Sequence, residues 1–370
     1  MKKNIVYVFT SCKRTGPIRI MYNLILNLDR NIFNPIIITL YKENEDSLLN
    51  DFLALGIEHF FVPIKKKDIL FGNINSLKEK IQFLNPSVVH AMGVFPDYAV
   101  SRLNVNCQLI TLHNYMYDDY PAEYGFFRAL ILEKIHMLAV RHAKKTVTCS
   151  SSLSDLYKTR RKLLFDFVRN GVDTVHFDRI ADESEKVLLR KKLGIPIEKK
   201  VFVYSAPFNE RKNHSFLIKA FLSNCIENCL VVFLGNGPLF PKLSEIYSNN
   251  KMFKFVGHVG NVQDYLKACD FYISSSFSEG LPTAVLEAMA CGLPVVLSNI
   301  PQHKEIIDIG SGVGLLYDLH SKEDCACSVR NILSMDYSKL SAMAYRCGHE
   351  ILDAQTMSKN YQRLYLEIGL

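Results

Sequence analysis

The stretch of sequence that decides the fold is Ser278-Glu279-Gly280-Leu281-Pro282-Thr283-Ala284-Val285-Leu286-Glu287. It follows the run Asp270–Ser276, which has the aromatic and β-branched residues of a buried strand and ends in small polar ones. Proline is tolerated in the first turn of a helix and glycine commonly ends one, so we expect a helix over Thr283–Ala290, stopping at Cys291-Gly292. The apolar run Pro294–Leu297 comes next. This order of strand, tight loop, helix and strand predicts a parallel α/β sheet.

The same alternation of short apolar runs and longer helical stretches extends over the whole chain. Apolar residues recur with helical periodicity over Gly16–Leu28, and further helices are predicted at His214–Ser223 and Val262–Ala268. Strands are predicted at Asn4–Phe9, Pro35–Leu40, His59–Val62, Ser87–Ala91, Gln108–Leu112, Lys145–Cys149, Leu163–Val168, Lys200–Ser205, Leu230–Leu234, Phe253–Val256, Asp270–Ser275 and Pro294–Ser298.

The 370 residues are enough for two domains with separate cores. A turn at Asn170–Asp173 and the charged stretch Asp178–Lys192 indicate a domain link. We therefore expect two doubly wound, Rossmann-like domains, residues 1–172 and 173–350, with a C-terminal helix in 351–370 that packs back on the first domain. Two such sheets in tandem predict a ligand-binding cleft at the carboxyl ends of their strands.

The composition excludes several classes of protein. No apolar run approaches the roughly 18 residues that a membrane-spanning helix needs, and the apolar start is too short for a signal peptide. The ten cysteines form no Cys-x-x-Cys pair, so a disulfide framework or a zinc site is not expected and the cytoplasm is the expected compartment. The chain also lacks a Gly-x-Gly-x-x-Gly dinucleotide fingerprint and a Gly-x4-Gly-Lys phosphate loop.

The positive charge is concentrated in the first half. Residues 1–180 hold 24 Lys+Arg and 17 Asp+Glu, a difference of +7, which equals the net charge of the whole chain. The clusters Lys65–Lys67, Lys144-Lys145 and Lys158–Lys162 contribute to this excess. A solvated surface and a face for an anionic partner such as a membrane both account for them. The basic runs lack the pattern of a nucleic-acid reader, so no nucleic acid is expected.

Glu279 and Glu287 flank the predicted start of a helix. Helix N-termini bind phosphates through unpaired amides and a partial positive charge. Eight positions correspond to roughly 12 Å of helix rise, comparable to the distance between ribose and hexose in a nucleotide sugar. The two carboxylates could then accept charge-assisted hydrogen bonds from hexose and ribose hydroxyls. Taken alone, two glutamates at this spacing are more typical of an ordinary helix surface.

The stretch Ser275–Val296 resembles the Glu-x7-Glu signature of retaining glycosyltransferase family 4. The resemblance is strong over residues 200–300 and looser over 1–170, and in general form the chain is similar to bacterial capsule and surface-polysaccharide transferases. It implies a GT-B fold and a metal-independent transferase that uses a nucleotide-diphosphate sugar as substrate, without a cofactor. It further implies a hexose-type sugar from a UDP- rather than a GDP-sugar donor, and a glycan or lipid-linked glycan acceptor. Peripheral contact of the basic half with the inner face of the plasma membrane would suit the latter.

The resemblance also implies roles for individual residues. Glu279, His113 and Lys212 would be catalytic, with Lys212 neutralising donor phosphate and His113 beside the donor sugar. Glu287 would bind the ribose, and His258-Val259 would lie in the loop that contacts the nucleobase. The other implied donor-binding residues are Arg211, Gly235, Gly237, Gly280, Leu281, Pro282, Thr283 and Gly16.

One position departs from the family pattern. Relatives commonly carry a glycine-arginine pair where this chain has Ala206-Pro207, and that arginine contacts the pyrophosphate. Arg211 is the candidate to replace its charge. Two other functions stay open: a sugar-nucleotide epimerase or phosphorylase on the same fold, and a non-catalytic sugar-nucleotide-binding partner of an active transferase.

Overall fold

The computed structural model describes residues 2–103, 105–224 and 226–369. They divide into two compact units: unit 1 contains residues up to Gly171 together with Ala354 onward, and unit 2 spans Val172–Asp353. Each unit is a parallel sheet covered by helices, so the predicted α/β class is confirmed. The helices within the described ranges include none long and apolar enough to span a membrane. The nine cysteines in those ranges are free.

The described part of unit 1 holds a seven-stranded sheet in the order β3-β2-β1-β4-β5-β6-β7. All of its strand pairs are parallel. The strands are β1 Lys3–Phe9, β2 Phe33–Thr39, β3 Glu58–Phe61, β4 Val88–Ala91, β5 Gln108–Leu112, β6 Lys145–Thr148 and β7 Asp166–Phe167. The helices are α1 Gly16–Leu26, α2 Leu49–Ala54, α3 Lys66–Phe71, α4 Asn75–Leu84, α5 Val94–Ser101, α6 Met116–Tyr124, α7 Phe126–His142 and α8 Ser151–Arg161.

The described part of unit 2 repeats this arrangement with six parallel strands in the order β10-β9-β8-β11-β12-β13. Its strands are β8 Lys200–Ser205, β9 Cys229–Leu234, β10 Phe253–Gly257, β11 Phe271–Ser274, β12 Val295–Ser298 and β13 Gly314–Tyr317. A 3₁₀ turn, Glu210–Lys212, and a π-helical turn, Cys347–Ile351, supplement its helices. The helices are α9 Glu183–Leu193, α10 His214–Ser223, α11 Phe240–Tyr247, α12 Val262–Ala268, α13 Thr283–Ala290, α14 Pro301–Gly310, α15 Lys322–Ser334 and α16 Tyr337–Arg346.

The last helix, α17 Ala354–Ile368, belongs to unit 1 and packs against α1. It carries two tyrosines into the core beneath the sheet. The Tyr365 hydroxyl lies 3.0 Å from that of Tyr7 and 2.8 Å from Nδ1 of His90, and Nε2 of His90 lies 2.9 Å from the Thr111 hydroxyl. The Tyr361 hydroxyl completes the chain at 3.0 Å from Thr111. Because every member is buried, this network fixes the position of α17 on the sheet.

Two predicted segments are wrong in detail. The strand expected over Leu163–Val168 shrinks to Asp166–Phe167, since residues 162–165 instead follow the left-handed end of α8 at Lys162. The charged stretch 178–192, expected to belong to a domain link, mostly forms α9 of unit 2. Lys186 and Arg190 on α9 are buried and bind the buried Asp270 at 2.6 Å and 2.7 Å. These buried ion pairs therefore hold α9 in unit 2, although a charged stretch usually lies in solvent.

Candidate functional site

Three charged side chains of unit 2 meet at the carboxyl end of β11. Glu279 follows this strand and is only 7% exposed. Its Oε1 accepts a hydrogen bond from Nζ of Lys212, and its Oε2 lies 3.3 Å from Nη1 of Arg211. The same Nη1 donates to the Ser278 carbonyl at 2.8 Å. The structure thus brings together three residues that the sequence assigned to one site.

The turn that carries Arg211 and Lys212 is held by hydrogen bonds from residues at the ends of two neighbouring strands. Tyr204, on β8, donates to the Lys212 carbonyl at 2.7 Å. The Ser275 hydroxyl, just after β11, lies within bonding distance of the Lys212 carbonyl at 3.1 Å and of the Asn213 carbonyl at 2.9 Å. At the start of the turn, the Asn209 side chain accepts from the Lys212 amide at 3.1 Å. Ordered strand ends therefore set the direction of the Lys212 side chain.

The electrostatic environment keeps Glu279 ionised. Burial by itself would raise the pKa of this carboxyl, but Lys212 and Arg211, with a smaller contribution from the His303 ring, hold its pKa down at about 2. A buried carboxylate with this pKa is a permanent hydrogen-bond acceptor at neutral pH. The Glu279 carboxylate therefore contacts two cations, Lys212 and Arg211.

His303 is a neighbour of the site that the sequence analysis missed. It is fully buried on α14, and its Nδ1 lies 3.0 Å from the Ser298 hydroxyl and 2.9 Å from the Ser298 carbonyl. Ser298 in turn donates to the Ser276 carbonyl at 2.7 Å, next to the loop of Glu279. Burial lowers the pKa of His303 to about 4, so the ring is neutral at pH 7. A lone histidine on an amphipathic helix gives no sequence signal for such a position.

The helix that follows the loop is the predicted one, Thr283–Ala290, with Pro282 immediately before it. Glu287 lies in its second turn and is 6% exposed. The first amides of a helix have no intrahelical acceptor, so the start of α13 offers donors and a positive dipole end beside Gly280 and Leu281. Glu287 and the helix start are consequently on one rigid element.

Two glycines of the predicted set are required by close backbone approach. Gly235 has φ +124°, and a Cβ there would lie 2.1 Å from the Ala206 carbonyl oxygen. Gly237 has φ +155°, and its Cβ would lie 2.6 Å from the Phe208 carbonyl oxygen. This turn after β9 therefore packs directly on the segment after β8, which holds Pro207 where an arginine was expected. Pro207 is exposed and brings no charge.

The remaining predicted residues belong to other elements of the two units. His258 and Val259 follow β10 in unit 2. In unit 1, His113 follows β5, and burial lowers its pKa to about 4; Gly16 is exposed at the first position of α1. The loop before α1 is fixed by the Glu43 carboxylate, which accepts from the Cys12 amide at 2.9 Å and 3.0 Å. Among the described residues, no group of three or more His, Cys, Asp or Glu side chains is arranged to hold a metal ion.

This part of the chain is similar to a known protein family, and the whole chain is similar to individual proteins. Residues 185–347, most of unit 2, match the model of the family described as glycosyl transferases group 1. The O-antigen biosynthesis glycosyltransferase WclY of Escherichia coli is 24% identical over 314 residues, which are 82% of this chain and 82% of the relative. A second relative from that species, UDP-Gal:alpha-D-GlcNAc-diphosphoundecaprenol alpha-1,3-galactosyltransferase, is 23% identical over 341 residues, 86% of each chain.

Solved structures agree on the architecture. Anabaena HepE in complex with UDP superposes with a TM-score of 0.81 at 16% identity, covering 99% of this chain and 100% of that one. A glycosyltransferase from Rickettsia africae gives a TM-score of 0.79 at 19% identity, covering 99% and 98%. At these identities the likeness shows the fold, and the predicted GT-B class is confirmed. The resemblance to glycosyltransferase family 4 is confirmed as well.

Proposed function

We propose that this chain, whose residues 185–347 match the family of glycosyl transferases group 1, is a retaining, metal-independent transferase that moves a hexose-type sugar from a UDP-sugar to a glycan or lipid-linked glycan. The observation that carries the proposal is the buried Glu279 carboxylate, held by Lys212 and Arg211 beside the start of α13. A carboxylate kept ionised next to two cations and a helix N-terminus matches a donor that carries both hydroxyls and phosphates.

In this proposal Lys212 and Arg211 bind the donor pyrophosphate together with the amides of residues 280–283. Negative charge builds on the leaving phosphate when the bond to the sugar breaks, and preorganised cations and amides stabilise it. They supply the charge that a divalent ion supplies in other transferases, so no metal and no cofactor are required. Glu279 accepts hydrogen bonds from the hexose hydroxyls, and Glu287 accepts from the ribose diol.

The relatives support the choice of substrates. HepE was solved with UDP and with UDP-glucose, and one Escherichia coli relative is named for a UDP-galactose donor and a diphosphoundecaprenol-linked acceptor. A donor of this type and an acceptor anchored in a membrane are the corresponding proposals for this chain. The positive charge of residues 1–180 would then lie toward anionic lipid. Bacterial surface-polysaccharide synthesis is the corresponding process.

Calorimetry with UDP, GDP, ADP and their sugars tests the donor assignment. We expect UDP and UDP-sugars to bind and EDTA to leave binding and turnover unchanged. Glu287→Ala should weaken binding of UDP and UDP-sugar at least tenfold, because it removes the ribose acceptor. Glu279→Gln should leave UDP binding within a few fold but lower sugar transfer strongly. Wild-type behaviour of both variants would contradict the assignment.

Product analysis with donor alone separates the remaining alternatives. A transferase leaves the nucleotide sugar intact or hydrolyses it slowly. An epimerised nucleotide sugar would identify an epimerase, and binding with no turnover under any acceptor would identify a non-catalytic partner. His113→Gln, in unit 1, is measured in the same transfer assay, where a loss of turnover supports its catalytic assignment and wild-type turnover removes it.

A further inference from the structure

Helix α7 of unit 1 has an outer face unlike that of an ordinary surface helix. Its inner face, including Ala129, His136 and Ala139, is buried, and the helix packs on α5 and α6. Its outer face carries Phe127, which is 82% exposed, and Ile131, which is 60% exposed. Large apolar side chains also exposed on this helix are Phe126, Leu130 and Leu138. Single exposed apolar residues are common, but five on one helix form a patch that calls for an occupant.

The charges on the same helix are almost all positive. Arg128, Lys134 and Arg141 are exposed, whereas its single acid, Glu133, is only half-buried to one side. Residues 127, 131, 134, 138 and 141 follow helical spacing and so form one stripe, the outer stripe of α7. From 127 to 138 the stripe is about 16 Å long at 1.5 Å per residue. It contains apolar and cationic side chains and no carboxylate.

A cavity lies at the carboxyl end of α7. It measures about 630 Å³ and includes Val140 and Ala143 from this region of the chain. Lys144 and Lys158 line it together with Asp155, while Lys145 is paired with Asp166. Apolar Leu164, 77% exposed, lies in the same lining. The pairing of exposed apolar side chains with lysines therefore extends beyond the stripe itself.

We propose that the outer stripe of α7 docks unit 1 on an anionic lipid bilayer. Apolar side chains with cations on one helix face match the membrane interface, where the former enter the acyl boundary and the latter meet lipid phosphates. A second copy of this chain would place cation against cation, which opposes self-association through the stripe. The inference rests on the proposed function only for the presence of a membrane-anchored acceptor, and the binding is measured without donor or acceptor.

The absence of tryptophan makes the test direct. The chain contains no tryptophan, so Phe127→Trp introduces a single fluorescent reporter on the stripe. Phe83→Trp is the matched control, since Phe83 is 78% exposed on α4 of the same unit. With phosphatidylglycerol vesicles, we expect a blue shift and quenching by brominated acyl chains for Phe127→Trp and neither for Phe83→Trp. Phosphatidylcholine vesicles should give little response.

Vesicle sedimentation of the otherwise unaltered chain supplies the second measurement. Replacing Phe127 and Ile131 together by serine should weaken partitioning at least about tenfold, because two exposed apolar anchors are removed without touching the core. Phe83→Ser should have no effect, and raising salt should weaken binding of the wild type. The proposal is overturned if the protein ignores anionic vesicles, if both tryptophans respond alike, or if Phe127→Trp shifts with protein concentration in the absence of lipid. Loss of vesicle binding with intact UDP binding would separate this surface from the donor site.

Discussion

Replacing Lys212 by methionine tests the electrostatics of the proposed donor site. Methionine keeps most of the apolar stem of lysine and removes the ammonium that binds Glu279. The carboxylate is 7% exposed, so it cannot recover hydration when its partner disappears. Arg211, at 3.3 Å, stays as the second cation. We therefore expect unit 2 to be destabilised without a change of fold.

The size of the effect follows from the pKa. The surroundings hold the pKa of Glu279 at about 2, against an ordinary value of 4.5. At about 1.36 kcal/mol per pKa unit, this corresponds to about 3 kcal/mol of net stabilisation of the ionised form. Removing one partner of a buried pair typically costs about 3–5 kcal/mol. Since Arg211 remains, about 3 kcal/mol is the expected loss at pH 7.

The loss of stability in Lys212→Met depends on pH. In the wild type the depressed pKa of Glu279 contributes stability that is present above pH 4.5 and is lost only as pH falls toward 2. In Lys212→Met, burial raises the pKa of the carboxyl, so it becomes neutral at higher pH. The difference between variant and wild type should therefore shrink between pH 7 and pH 4. Adding Glu279→Gln to Lys212→Met should recover most of the stability at pH 7.

Hydrogen exchange of amides in β8 and β11 measures this opening of unit 2 separately from unit 1. The variants required are Lys212→Met, Glu279→Gln and the pair, each at pH 7 and pH 4. A loss in Lys212→Met that is the same at both pH values would refute the electrostatic account. So would a double variant no more stable than the single one. Either result would mean that Lys212 acts through packing.

Three further predictions concern other parts of the chain. Gly235→Ala should cost unit 2 about 3 kcal/mol or more by urea unfolding, because its Cβ would overlap the Ala206 carbonyl, whereas Gly260→Ala, with open space at its Cβ, should stay within about 1 kcal/mol of wild type. Tyr365→Phe should destabilise unit 1 by about 1–3 kcal/mol, visible in exchange of β1 and β4 amides, because it leaves buried polar partners unsatisfied; wild-type protection would show that a packed ring suffices. Burial lowers the pKa values of four histidines in the folded chain, so the unfolded chain binds protons first as pH drops below 6.5; they are His90, His113, His214 and His303. The free energy of unfolding should therefore fall by about 1.36 kcal/mol per pH unit for each of these histidines. A flat profile from pH 6.5 to pH 5 would contradict the lowered pKa values.

Local sequence signals predicted most of the secondary structure around Glu279. Helix α13 begins and ends where proline and glycine place it, and β8 and β5 have the predicted bounds. These elements are buried on both faces, so their apolar runs are continuous and have clear ends. The predicted bounds of β7 were wrong because its two residues are exposed at the edge of the sheet, where an apolar run says little about the ends of a strand. The prediction for the stretch that forms α9 was wrong because its charged residues are bound by Asp270, which lies far along the sequence.

The proposed donor site shows what pattern and spacing in the sequence cannot predict. The family motif predicted Glu279 and Lys212 separately, but their direct ion pair depends on the meeting of β8 and β11 in the sheet. Tyr204 and Ser275 hold the Lys212 carbonyl through hydroxyls that no local motif marks. His303 belongs to the same set, since it reaches the site region through Ser298. Residues that position a site are brought together by the order of the strands in the sheet, and this order cannot be read from a single sequence.

Pro207 supplies no charge where an arginine would supply one. Proteins of the family that this chain resembles commonly have an arginine there, but in this chain the guanidinium of Arg211 already lies against Glu279 and the Ser278 carbonyl. Arg211 and Lys212 therefore bring two cations to the Glu279 carboxylate without any contribution from position 207. The preceding backbone is fixed by the close approach of Gly235 to Ala206, which does not depend on the side chain at 207. If Arg211 carries the missing charge, Arg211→Gln should weaken UDP binding more than Pro207→Arg strengthens it.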